Sequence, residues 1–134
     1  MARFAIDAPT ALRIVRERVD VGEHQLVSTG SLRSQAMQVL YDEVRAGTLD
    51  EAEGRAQLET VAALKVPLLA DRVSRSVAWR IAARLDWAEM APAELLAVAS
   101  LQADVLVTDD ERLAAAAEGI VERMPWVAFA SALA

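Results

Sequence analysis

Two apolar runs, roughly a hundred residues apart, each end on carboxylates, and they constrain this chain more than any other feature. Phe4-Ala5-Ile6 leads into Asp7, and Val105-Leu106-Val107 leads through Thr108 into Asp109 and Asp110. Short unbroken apolar runs of this kind read as strands buried on both faces, as in a parallel sheet. Ligands of such sheets bind outside the carboxyl ends of the strands. Acids placed there suit a hard cation or a phosphate-bearing substrate. Only folding can bring the two runs together.

The remaining composition sets bounds. A chain of 134 residues fits one domain, residues 1–134. Its hydrophobic fraction of 54% supports a full core, yet aromatics are only 4% and much of the apolar content is alanine. That balance predicts close-packed helices around a small sheet. There is no cysteine, so disulfides and thiolate metal sites are excluded, as suits a reducing compartment. The start, Met1-Ala2-Arg3-Phe4, does not have the form of a signal peptide. No apolar stretch approaches the roughly 20 residues that cross a bilayer, so a cytoplasmic location without membrane contact is expected. The net charge of -6 argues against a general nucleic-acid coat. It leaves room for a nuclease with a local basic strip. Arginine clusters in two places, at Arg13, Arg16 and Arg18 and at Arg72, Arg75, Arg80 and Arg84, with Arg33 alone.

Along the chain, residues 3–7 read as a strand, and Pro9 suits the first turn of the helix after it. Gln25–Val27 forms a second strand, and Ser28-Thr29-Gly30-Ser31 a turn. Apolar periodicity predicts helices from Leu32 to Ala46, from a Thr48–Glu51 capping box to Leu64, from Asp71 to Leu85, and from Pro92 through Leu101. A strand at Val105–Val107, a short helix from Arg112 to Ala117 and a last strand near Trp126–Phe129 complete the order. The pattern β-α-β-α-α-α-α-β-α-β specifies an α/β three-layer sandwich, with a central parallel sheet of four to five strands flanked by helices.

In this order, Ala5-Ile6-Asp7-Ala8-Pro9-Thr10, His24-Gln25-Leu26-Val27, Leu32-Arg33-Ser34-Gln35-Ala36, Leu69-Ala70-Asp71-Arg72-Val73-Ser74-Arg75 and Leu101-Gln102-Ala103-Asp104-Val105-Leu106-Val107-Thr108 resemble a PIN domain. Within that family the chain is similar to the small VapC-type toxin nucleases, especially actinobacterial ones. The resemblance spans nearly the whole chain and implies a metal-dependent endoribonuclease of a toxin–antitoxin system. It would use Mg²⁺ or Mn²⁺ held by three or four acids, with an antitoxin protein as partner and RNA as substrate. Hard cations prefer carboxylate oxygens, and a bound cation acidifies water and stabilises charge on phosphate.

Carried over residue by residue, the resemblance assigns catalytic and metal-binding roles to Asp7 and Asp110, with Asp109 beside the latter as a further candidate ligand. Two further acids are absent. One position is occupied by Gln35, whose amide oxygen is at best a neutral ligand, and the other by Pro92. Glu94 follows two residues later, about 200° around a helix, and should point away. Glu89 would reach the site only if its loop bends back. Arg72, Arg75 and Arg80 are candidate RNA contacts, although an exposed helix face is charged in most proteins.

Each feature has a plainer reading. Asp7 can be a helix cap, Asp109 a turn residue and His24 a loop residue. Trp79, Trp87 and Trp126 can serve a core or a dimer interface, and base stacking would require them exposed beside basic residues. The acid deficit leaves two functions open. One is a nuclease with impaired catalysis, and the alternative is a non-catalytic PIN-fold dimer serving as a protein-interaction module. A phosphate-accepting signalling domain is set aside, because Lys65 is the only lysine and lies far from the end of a late strand.

Overall fold

The computed structural model describes residues 1–134, and its four strands form one sheet. The strands are β1 (Arg3–Ile6), β2 (Gln25–Val27), β3 (Val105–Val107) and β4 (Glu122–Met124), in the order β2-β1-β3-β4. All three pairings are parallel. Seven helices surround them: α1 (Ala8–Glu17), α2 (Leu32–Arg45), α3 (Glu51–Ala63), α4 (Arg72–Leu85), α5 (Ala91–Gln102), α6 (Glu111–Ala117) and α7 (Trp126–Leu133). No helix is long and apolar enough to cross a membrane.

Strand alternation divides the core into two layers, because successive side chains point to opposite faces. Phe4, Ile6, Leu26 and Val107 pack with Leu12, Leu32, Leu40, Val61, Trp126 and Phe129. Ala5, Val27 and Leu106 pack with Ala78, Ile81, Leu95, Leu96 and Leu113. The α/β three-layer arrangement expected from the element order is therefore present. The sheet has four strands. It is small, and alanine does much of the work: Ala5, Ala36, Ala78, Ala93, Ala97 and Ala99 are each fully buried. Small side chains let helices approach sheet and neighbours closely. Gly54 carries this furthest, since a Cβ there would lie 2.8 Å from Val44 Cγ2 across the α2–α3 contact.

The C-terminal segment corrects the sequence reading. Trp126–Phe129 was expected as a strand, and it begins helix α7 instead. Trp126 and Phe129 are both buried, three residues apart, so they share one helix face. The strand lies just before, at Glu122-Arg123-Met124, with no fully buried residue. An edge strand held by main-chain pairing to β3 needs no apolar run, and its sequence carries no strand signal. The Thr48–Glu51 capping box also does not form. Asp50 stands at the N-cap of α3 without a side-chain bond, while the Thr48 hydroxyl donates to the Glu43 carbonyl. A reciprocal capping box occurs instead at α4, between Asp71 and Ser74. The Ser74 amide donates to the Asp71 carboxylate and holds its pKa below the ordinary value.

Candidate functional site

Because the strands run parallel, their carboxyl ends share one edge of the sheet. In the sheet order, β1 and β3 are neighbours whose onward connections lead to opposite sides, and that switch point opens a crevice. The register pairs Ile6 with Val107. The residues that follow, Asp7 and Thr108, therefore emerge side by side.

Hydroxyl groups stitch this edge together. Ser28 Oγ donates to the Ile6 carbonyl at 2.6 Å, and Thr10 Oγ1 donates to the Val107 carbonyl at 3.1 Å. Thr108, wholly buried, donates its hydroxyl to Asp7 Oδ2 at 2.6 Å and accepts from the Asp110 amide at 3.0 Å. One side chain thus fixes Asp7 relative to the start of α6. Asp7 is itself buried and caps α1, its Oδ1 accepting from the Thr10 amide at 3.0 Å. Asp110 caps α6, its Oδ1 accepting from the Leu113 amide at 2.9 Å. Each cap satisfies an otherwise unpaired helix amide. The plain role as caps and a role in a site coexist, because a carboxylate oxygen with one hydrogen bond keeps a second lone pair.

Asp7 and Asp110 line one cavity of about 290 Å³, together with Ser28, Thr29, Gln35, Glu89, Ala91, Pro92 and Arg112. Gln35 and Pro92, the two positions without an acid, are thus on its wall. Glu89 is there as well, because the loop after α4 does bend back. Asp86 ends α4 in the left-handed conformation, with φ of 55°, and turns the chain toward α5. Glu94 does not line the cavity, consistent with the helical turn between it and Pro92.

Asp109 faces elsewhere. Its Oδ1 accepts from the Trp126 amide at 3.1 Å and lies 3.8 Å from Arg123 Nη2, while Oδ2 lies 3.5 Å from Arg13 Nη1. These bonds tie the β3 end to α1, β4 and α7, and Asp109 takes no part in lining the cavity. Arg72, Arg75 and Arg80 also lie outside it, exposed on α4. The arginine at the cavity is Arg112, which residue patterning did not single out. Its guanidinium sits 4.3 Å from the centre of the Trp87 ring, an arrangement that fixes the cation's position. Its only sequence signal is its place in the first turn of a helix capped by a strand-end acid. His24 is a structural residue of the opposite sheet edge, its Nδ1 accepting from the Ala2 amide at 2.9 Å.

The donor set can be tested against a divalent cation. No three acidic or histidine side chains converge closely enough to form a cage by themselves. Asp7 and Asp110 offer charged oxygens, Glu89 a third from the loop, and Gln35, Ser28 and Thr29 neutral ones. That set does not suit a cation needing six to eight protein oxygens. It fits Mg²⁺, which keeps several waters and is held by one or two carboxylates plus substrate phosphates.

No family model and no curated protein matches the sequence. Solved structures do match. PAE2754 from Pyrobaculum aerophilum superposes with a TM-score of 0.79 at 23% identity, over 98% of this chain and 95% of that one. A chain in the structure of VapBC2 from Rickettsia felis bound to a DNA fragment from their promoter gives 0.63 at 6% identity, over 92% and 98%. A chain in VapBC-1 from nontypeable Haemophilus influenzae gives 0.57 at 11%, over 93% and 98%. The fold is PIN-like, and at these identities the likeness is one of fold.

Proposed function

We propose that this chain is a VapC-like PIN-domain protein whose cavity binds Mg²⁺ or Mn²⁺ weakly and cuts RNA only when the metal is plentiful. One observation carries this reading: Thr108 holds Asp7 and the start of the Asp110 helix together at the switch point, where both acids open onto a cavity shared with Glu89 and Arg112. Asp7 and Asp110 would hold the cation, with Gln35 as a neutral oxygen and Glu89 on the cavity wall acting through bound water. The bound metal would supply an acidified water and charge stabilisation at the phosphate. Arg112, stacked on Trp87, would orient a phosphate oxygen from the cavity wall, and its rigid mounting makes that orientation cheap in entropy.

The alternative, a non-catalytic interaction module, draws on a specific observation too. Both oxygens of Asp7 and one of Asp110 already serve hydrogen bonds of the fold, so these acids have a structural reason to exist. Calorimetric titration of the purified protein with Mn²⁺, beside Asp7→Asn, separates the two. The nuclease reading expects a millimolar dissociation constant, no tightly held ion after ordinary purification, and cleavage of single-stranded RNA at millimolar metal. All three metal-dependent signals should vanish in Asp7→Asn. If millimolar Mn²⁺ produces neither binding nor cleavage, the interaction module stands. Cleavage at micromolar metal would show that the missing acids do not matter.

The solved VapBC structures support an antitoxin-like protein as partner. A homodimer is also proposed, on the strength of large apolar side chains left open away from α4: Met37, Tyr41 and Val127 are each at least half exposed. Light scattering at high micromolar concentration should give twice the chain mass, and a clean monomer mass would count against it.

A further inference from the structure

Helix α4 carries an exposed face that the cavity does not explain. Trp79 is 71% exposed, the most open large hydrophobic residue within any helix but α7. A tryptophan of that exposure buries little of its apolar area, and no aromatic ring or guanidinium covers it. At about 100° per residue, Arg72, Arg75 and Trp79 fall within roughly 60° of one another around the helix, with Arg80 flanking. None of Arg72, Arg75, Arg80 and Arg84 is in an ion pair. The helix's own acids, Asp71 and Asp86, stand at its two ends; Asp71 is engaged as a cap and feels the charge of Arg75. In a chain of net charge -6, three exposed arginines beside an open indole make this face locally basic.

We infer that this face is a track for single-stranded RNA, with Trp79 as a base-stacking platform and Arg72, Arg75 and Arg80 holding the backbone. Positive charge along the phosphates plus an aromatic ring for the bases is the physical recipe for sequence-tolerant single-strand binding. The track leads to the cavity. Helix α4 packs along α5, whose first turn, at Ala91 and Pro92, lines the cavity wall. From Trp79 the helix runs about 9 Å further to its end at Leu85, and the next residues, Trp87 and Glu89, are at Arg112 and the cavity. The same face is a poor surface for a second copy. A two-fold interface sets a patch against itself, and here it would oppose unpaired arginines.

The inference rests on the nuclease reading for its direction but is tested apart from it. A short fluorescein-labelled oligouridine, in EDTA so that nothing is cut, is titrated with the unmodified protein and followed by anisotropy. Trp79→Ala should weaken binding about ten- to a hundredfold, the range a lost base stack gives, and Trp79→Phe should restore most of it. Arg72→Ala with Arg75→Ala should flatten the dependence of log affinity on log salt by about 0.7 per lost phosphate contact. Equal affinity of Trp79→Ala and the unmodified protein, or no binding by the unmodified protein, overturns the track. So does a Trp79→Ala variant that turns a dimer into a monomer while RNA affinity stays constant. Trp79-dependent binding without metal-dependent cleavage would sink the nuclease reading and leave the track. Asp7-dependent cleavage indifferent to Trp79 would do the reverse.

Discussion

Gln35→Glu is expected to tighten Mn²⁺ binding about tenfold, and adding Pro92→Asp about tenfold more, each corresponding to roughly 1.4 kcal/mol. Both side chains already line the cavity, so the new carboxylates need only their own rotamers to reach a cation near Asp7 and Asp110. Across a cavity open to water a like charge a few ångströms away costs about 1 kcal/mol or less, and a divalent cation returns more than that. Helix α5 should tolerate the second change well. Pro92 lies in its first turn, where an acid interacts favourably with the helix dipole. The apo double variant should melt a few degrees lower than the unmodified protein, on the order of 1 kcal/mol of carboxylate repulsion. Millimolar Mn²⁺ should restore it by binding the folded state alone. RNA cleavage should then appear at lower metal than in the unmodified protein. An unchanged Mn²⁺ affinity in the double variant, with the fold intact, would mean that this cavity is not where a cation sits.

The parts of this site that could be read from the sequence are those whose signal is local. Strands β1 and β3 announce themselves as apolar runs because both faces are covered, and their terminal acids come with them. Helices α2 and α4 follow from apolar periodicity, α3 and α5 from start signals and apolar content, and all four fall close to their observed limits. What could not be read depends on neighbours far along the chain. Strand β4 is Glu-Arg-Met, made a strand by pairing with β3 and by nothing in its own composition. Trp126–Phe129 is a short apolar run, and such runs do not distinguish strand from helix. Asp109 and Asp110 are adjacent acids whose opposite orientations follow from the turn into α6: one faces Arg13 and Arg123, the other the cavity. Glu89 and Arg112 reach the cavity from a loop and from a helix start, and nothing in their immediate sequence marks their convergence. The arginines of α4 were legible as a cluster, but the openness of Trp79 beside them belongs to the folded surface.

Thr108→Val should be the most damaging conservative change at this edge of the sheet. The substitution keeps the shape and removes one hydroxyl. That hydroxyl is wholly buried and serves two partners, as donor to Asp7 Oδ2 and acceptor for the Asp110 amide. No buried side-chain polar atom in the protein lacks a partner, so the valine variant would create the defect anew. An unsatisfied buried group costs about 1–3 kcal/mol, and two partners are affected together. A loss of about 2–4 kcal/mol in chemical denaturation is therefore expected, equivalent to a fall in Tm of about 10 °C for a chain of this size. Thr108→Ser, which retains the hydroxyl and gives up a methyl group, should lose about 1 kcal/mol. Asp7→Asn offers the useful contrast. Its amide oxygen still caps α1 and its NH₂ can meet the Thr108 oxygen, so the fold should lose about 1 kcal/mol or less. On the nuclease reading, metal binding and cleavage need the charge and should go completely. Stability of Thr108→Val within about 0.5 kcal/mol of the unmodified protein would mean that the hydroxyl does not hold the two acid-bearing segments together, and the site would lose the contact on which its geometry rests.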